Sequence, residues 1–107
     1  MELKQYSIVL VNLDPTIGSE IKKTRPCVIL SPNEINKYLN TIVVAPMTTN
    51  LKKSPTRIQV EHNAKKGMVA IDQIRTIDKS RIIKKFDRLT KSEIQKCKDI
   101  IRETFVD

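Results

Sequence analysis

Few side chains in this 107-residue chain can take up a proton or attack an electrophile near neutral pH. Its one histidine, His62, sits in a polar, turn-like stretch (Glu61-His62-Asn63) that reads as surface. The two cysteines, Cys27 and Cys97, stand far apart, with no CxxC spacing and no histidine near either in sequence. They read as reduced, mostly buried thiols rather than zinc ligands or a disulfide. The carboxylates are scattered, without the grouping that a magnesium-dependent nuclease needs. There is no GxGxxG, P-loop, GxSxG or HExxH. A two-histidine mechanism is excluded, and no cofactor or metal is expected. Any hydrolytic or transfer chemistry must run on Arg, Thr, Ser, Glu and Asp.

One reaction class suits that inventory. RNA carries its own nucleophile, the 2′-hydroxyl, which attacks the adjacent phosphorus without a metal or a covalent enzyme intermediate. The protein then has to align the strand and stabilise the charge growing on the phosphorane oxygens. An arginine does this well, because its donor fork matches two phosphate oxygens and its charge persists. A nearby hydroxyl donates one more hydrogen bond. Arg25 and the Thr48-Thr49 pair, both expected just beyond strand ends, are the candidates. In the stretch Gly18 to Leu30 (GSEIKKTRPCVIL) a polar, charged half gives way to an unbroken apolar one, with Arg25 and Pro26 at the seam.

The elements that must position them read as follows. Ser7 to Leu13 is a strand stopped by Asp14-Pro15, since proline cannot continue a ladder. Residues 14 to 25 form a loop long enough to suggest function. Cys27 to Ser31 is a second strand, 33 to 39 holds one helical turn, and Thr41 to Ala45 is a third strand closed by Pro46. Thr56 to Val60 alternates like a half-exposed strand. Met68 to Ile77 is predicted as one long strand and Ile82 to Leu89 as a last short one. Thr90-Lys-Ser-Glu93 fits a capping box opening a helix, on which Ile94, Cys97, Ile101 and Phe105 share a core-facing stripe. The fold class is mainly β with a C-terminal helix (α+β), as a small, strongly bent antiparallel sheet or barrel in one domain over 1–107.

Composition narrows the partner. The chain is 39% hydrophobic and 30% charged, with two glycines, as a globular rather than a disordered chain would be. Apolar runs such as Ile8 to Val11 and Ile42 to Ala45 are too short to span a membrane. Met1 to Gln5 carries no apolar signal region, so the cytoplasm is the expected location. The formal charge is +8 and the pI near 9.7. The excess clusters at Lys22-Lys23-Arg25, Lys52-Lys53-Arg57, Lys65-Lys66 and Lys79 through Lys91. Such density concentrates polyanions, whether nucleic acid or an acidic protein.

Four blocks in order and spacing then carry a resemblance over nearly the whole chain. They are Leu13-Asp-Pro-Thr-Ile-Gly-Ser-Glu20, Thr24-Arg-Pro-Cys-Val-Ile-Leu-Ser-Pro32, Val44-Ala-Pro-Met-Thr-Thr49 and Asp72-Gln-Ile-Arg-Thr-Ile-Asp-Lys79. The chain resembles the MazF/PemK/Kid toxins, the RNA-cleaving halves of bacterial toxin–antitoxin pairs. The resemblance implies a metal-independent endoribonuclease that cuts single-stranded RNA at short motifs, leaving a 2′,3′-cyclic phosphate and a 5′-hydroxyl. It also implies an SH3-like barrel, a homodimer and an acidic antitoxin partner. The family's catalytic arginine falls on Arg25 and its catalytic threonine on Thr48. Gly18, Ser19, Glu20, Thr49, Asp72 and Gln73 match loop and strand-end positions that line the RNA path. Two departures limit the transfer: some relatives carry His where Ser19 stands, and others an Arg where this chain has Ala70.

Because arginine in proteins stays protonated, Arg25 is assigned to charge stabilisation and proton donation. Glu20, Asp72 or water remain as alternatives for the base. Asp72 is as readily an ion-pair partner for Arg75 or Arg57 as an RNA contact. The competing function is a non-catalytic small barrel that binds nucleic acid. Two Tyr and two Phe are a thin supply for a base-stacking platform.

Overall fold

The computed structural model describes residues 2–21 and 23–106. Lys22, part of the first basic cluster, lies outside them. Strands β1 (Ser7–Asn12), β2 (Thr24–Ile29) and β3 (Thr41–Thr48) form the middle of an antiparallel sheet. Their apolar runs are nearly continuous because both faces are covered. On one face Ile8, Val28, Ala45 and Met47 pack with Ile58 and Val60 of β4 (Arg57–His62), Val69 of β5 (Lys65–Ala70) and Cys97 of α2 (Lys91–Phe105). On the other, Val9, Val11, Cys27, Ile29, Ile42 and Val44 pack with Leu3, Leu13 and Ile77. A one-residue slip would exchange the two sets, so the register is strongly specified. The two cysteines belong to different clusters.

The sheet order is β4-β5-β3-β2-β1-β7, where β7 is Ile82–Arg88, and β6 (Arg75–Asp78) pairs with β3 off that path. The strand that bends the sheet is β3. Its first half, Thr41 to Val44, pairs with β6; Val44 to Pro46 pair with β2; Met47 and Thr48 pair with β5. A strand that changes partners along its length turns a corner, and the sheet curls into a half-barrel. The expected mainly β fold with a closing helix is therefore present. The short helix expected within 33–39 is α1 (Asn33–Tyr38).

The capping box is also formed. Glu93 N–H donates to Thr90 Oγ1 at 3.2 Å, and Thr90 N–H donates to Glu93 Oε1 at 2.9 Å. The second carboxylate oxygen accepts Glu61 N–H at 2.9 Å, which ties the start of α2 to β4.

Four expectations need correction. The long strand over Met68 to Ile77 is two strands, β5 and β6, separated by a 3-10 turn at Ile71–Gln73. Met68, Val69, Ala70 and Ile71 are all buried, so the alternation of a half-exposed strand has already stopped there. The backbone turns where Ile71 N–H donates to Thr56 O at 3.0 Å. Pro46 does not close β3, which runs on to Thr48. β2 starts at Thr24 rather than Cys27, so Arg25 and Pro26 are strand residues opposite Val11 and Leu10. Phe105, expected in the core, is 58% exposed at the last turn of α2. The helix's packed stripe is Cys97 with half-buried Ile94, Ile100 and Ile101.

Candidate active site

Arg25 and Thr48 border one groove where two strands part. Cys27 and Pro46 are the last residues paired between β2 and β3. Pro26 and Pro46 have no N–H to extend that ladder, and β3 passes instead to β5, where Thr48 pairs with Met68. Carrying the β2–β3 register two residues further places Arg25 opposite Thr48.

The opening is a groove of about 280 Å³. It is bounded by Arg25 and Pro26 of β2, Met47, Thr48 and Thr49 at the end of β3, the β4–β5 hairpin, and Phe86 of β7. The hairpin contributes His62, Asn63, Lys65, Lys66 and Gly67. Among the described residues the charged groups of this wall are Arg25, Lys65 and Lys66, with no carboxylate, so the charge lining the groove is positive. Arg25 and Thr48 are half-buried and Thr49 is exposed. Thr48 Oγ1 accepts Asn50 N–H at 3.2 Å, an arrangement that leaves the hydroxyl hydrogen to be donated elsewhere.

Glu20, Asp72 and Gln73 line a different cleft, of about 230 Å³, together with Ile21 and Arg75. Contacts of Gln73 and Glu20 hold the loop down. Gln73 Oε1 accepts Ile21 N–H at 2.7 Å. Arg75 Nη1 donates to Leu13 O at 3.2 Å and lies 3.9 Å from Glu20 Oε2. Asp72 Oδ1 accepts from Thr56 Oγ1 at 3.0 Å and sits 3.4 Å from Arg57 Nε, so its ion-pair partner is Arg57. At the loop's root Asp14 Oδ1 accepts Lys23 N–H at 2.9 Å. Gly18 and Ser19 are exposed at the tip and line neither cleft. Gly18 has φ 59°, in the left-handed region that glycine enters without strain, within a turn closed by Glu20 N–H to Ile17 O at 3.3 Å.

The eight residues singled out in sequence thus divide three ways. Arg25, Thr48 and Thr49 share the groove, Glu20, Asp72 and Gln73 share the second cleft, and Gly18 and Ser19 form the loop tip. Buried Cys27 feels both arginines. Burial pushes its thiol up to about 12, against the opposing pull of the Arg75 and Arg25 guanidiniums.

Part of the basic run from Lys79 to Lys91 is structural. Lys79 Nζ donates to Asn36 O, and Arg81 Nη1 donates to Asn12 O at 3.2 Å and Asp14 O at 2.7 Å. Lys84 and Lys85 are exposed on β7. Lys84 Nζ lies 5.4 Å from the Phe86 ring centroid. Among the described residues no three His, Cys, Asp or Glu side chains come together as a metal site.

Sequence reasoning missed His62 and Phe86. His62 is half-buried, not a plain surface residue, and its ring meets that of Phe86 edge-on, with centroids 4.6 Å apart and planes at 65°. Contact between β4 and β7 leaves no local period in the sequence. The readable signal was the turn: Asn63 and Ala64 have φ 54° and 60°, the two positive values of a tight hairpin, which sets His62 opposite Lys65.

Residues 4–105 match the family model of the PemK-like, MazF-like toxin of type II toxin–antitoxin systems. An endoribonuclease MazF of Staphylococcus epidermidis is 33% identical over 98 residues, covering 86% of this chain and 82% of that protein. The crystal structure of MazF (Form-I) from Deinococcus radiodurans is similar with a TM-score of 0.86 at 21% identity, covering 96% of each chain. An endoribonuclease from mycobacterial species, solved in complex with its cognate antitoxin, gives a TM-score of 0.80 at 19% identity, covering 94% of this chain and 92% of that one. These two structures are likenesses of fold, whereas the family match spans every residue that lines the two clefts. The chain belongs to the PemK-like, MazF-like toxin family of type II toxin–antitoxin systems.

Proposed function

We propose that this protein is the toxin of a toxin–antitoxin pair, a metal-independent, sequence-specific endoribonuclease that cuts single-stranded RNA in the Arg25–Thr48 groove. Family membership and the relative named endoribonuclease MazF support the activity. The observation that supports the mechanism is that Arg25 and Thr48 line one groove whose charged residues are all cationic.

In this reading the 2′-oxygen attacks the adjacent phosphorus, the P–O2′ bond forms and the P–O5′ bond breaks. The products are a 2′,3′-cyclic phosphate and a 5′-hydroxyl. Arg25 faces the non-bridging oxygens and stabilises the charge they gain. Thr48 adds a donor from the opposite strand, and Thr49, Lys65 and Lys66 hold the flanking phosphates. Glu20 and Asp72 line the other cleft, so neither is assigned as base; the 2′-proton passes to water, and O5′ takes one from water rather than from Arg25, which keeps its charge. Gly18 and Ser19 cover the RNA from the loop tip. Glu20 and Gln73 serve the RNA path by holding that loop, and Asp72 lines the same cleft while pairing with Arg57.

The partner is an acidic antitoxin that competes with RNA for the surface around Arg25, a pairing that the toxin–antitoxin family supports, and the active form is a homodimer in the cytoplasm. Purified protein should cut a mixed-sequence single-stranded RNA in excess EDTA. Its expression should arrest bacterial growth, with co-expression of its acidic antitoxin relieving the arrest. Binding of RNA without cleavage would return the fold to the reading of a non-catalytic nucleic-acid-binding barrel.

A further inference from the structure

We propose that His62 and Phe86 seat a nucleobase next to the scissile phosphate and so contribute to the sequence preference of cutting. This inference rests on the endoribonuclease reading above and adds two residues to its groove.

A base-binding site needs an apolar wall with an aromatic surface, polar groups at the base edge and cations for the phosphates on either side. The groove supplies each. Pro26, Met47 and Phe86 make its apolar wall. The His62 and Phe86 rings pack edge-on at 4.6 Å, so each limits the other's rotation and the pair presents a set surface. Asn63 Nδ2 lies 3.4 Å from His62 Nε2, placing an amide beside the ring where a base edge can exchange hydrogen bonds. Lys65 stands opposite His62 across the hairpin, with Lys66 next to it on the same groove.

The hairpin also fixes where this surface stands. Its turn uses Asn63 and Ala64 at positive φ, and alanine pays for that conformation without the side-chain help that asparagine has. A two-residue turn of this kind allows little play between His62 and Lys65. Arg25 and Thr48 border the same groove, so a phosphate held by them carries its neighbouring base toward the ring pair. None of the other aromatic side chains, Tyr6, Tyr38 or Phe105, lines this groove.

The test pairs variants with abasic RNA. The wild type is first used to find a short RNA that it cuts. That RNA is then made with an abasic nucleotide on the 5′ or the 3′ side of the cut. His62→Ala and His62→Gln should each lower kcat/KM on the intact RNA by about ten- to a hundredfold, the scale of base–aromatic stacking. His62→Phe should stay within a few fold of wild type, with an unchanged pH profile. At one of the two abasic positions the wild type should fall by a similar factor, and His62→Ala should there cost nothing further. The inference is overturned if His62→Ala costs as much on both abasic RNAs as on the intact one. It is also overturned if His62→Phe is as damaging as His62→Ala and flattens the pH profile, which would make His62 a proton carrier instead. If the wild type cuts RNA and no His62 variant differs from it, this inference fails alone. If the wild type cuts no RNA, the endoribonuclease reading fails and takes this inference with it.

Discussion

Arg25 and Thr48 border one groove, each two residues beyond Cys27 and Pro46, the last β2–β3 pair. Each remains braced on its outer side, Arg25 against Val11 of β1 and Thr48 against Met68 of β5. The groove between them is therefore opened by the sheet itself and not by a flexible loop. Groups held this way need little rearrangement when charge develops between them, which is where electrostatic stabilisation is strongest.

Arg25→Ala should lower the cleavage rate by about a hundredfold or more, the scale of losing a transition-state donor. Thr48→Ala should cost somewhat less, since its hydroxyl is uncharged. Replacing Lys84 and Lys85 together should instead weaken RNA binding and reduce its salt dependence, while the rate of the bound RNA is nearly kept. Single-turnover rates and binding isotherms at two salt concentrations separate these effects. Equal losses in rate for both sets would show a binding groove without a catalytic pair.

Gln73→Ala removes the acceptor for Ile21 N–H and should cost about 1 kcal/mol in urea unfolding, the net worth of an ordinary hydrogen bond. Hydrogen exchange should quicken at residues 17–21 before it changes in β1 to β3. Cleavage should lose through KM more than through kcat, because Gln73 holds the loop and does not line the groove. Unchanged exchange in the loop would mean the contact does not restrain it.

The thiols set an alkaline limit. Burial pushes Cys27 up to about 12, and burial with Glu93 nearby pushes Cys97 up to about 11, against 9.0 for a free thiol. The folded protein keeps both protons where the unfolded chain loses them, so stability is full below about pH 9 and falls as pH rises toward 11 and 12. Urea midpoints should be lower at about pH 10 than at about pH 8, with a smaller drop in Cys97→Ala. Iodoacetamide should label the native thiols far more slowly than the unfolded ones. Equal labelling rates would contradict the burial.

Much of the fold was legible because local chemistry dictated it. The Thr90–Glu93 box announced α2, and the apolar runs of β1 and β3 announced a covered sheet. Boundaries failed where tertiary pairing overrode a local rule. Pro46 looked like a strand terminator, yet it marks the point where β3 changes partner. Met68 to Ile77 looked continuous because apolar residues persist through the 3-10 turn that divides it. At the site, Arg25 and Thr48 were visible through the blocks around them. Glu20 and Gln73 were visible only as site positions, since their contacts with Arg75 and Ile21 close across more than fifty residues. His62 was the plainest omission. Its partner Phe86 belongs to another strand, and no spacing in the chain brings the two together.

The 2′-hydroxyl mechanism is tested most directly by one atom of the substrate. An RNA that the protein cuts should be compared with the same RNA carrying a single 2′-deoxy nucleotide on the 5′ side of the cut, both in excess EDTA. The all-ribose strand should be cleaved to a 2′,3′-cyclic phosphate and a 5′-hydroxyl, while the substituted strand binds with similar affinity and stays whole. Cleavage of the substituted strand at an undiminished rate would contradict the mechanism, because water and not the RNA would then be the nucleophile.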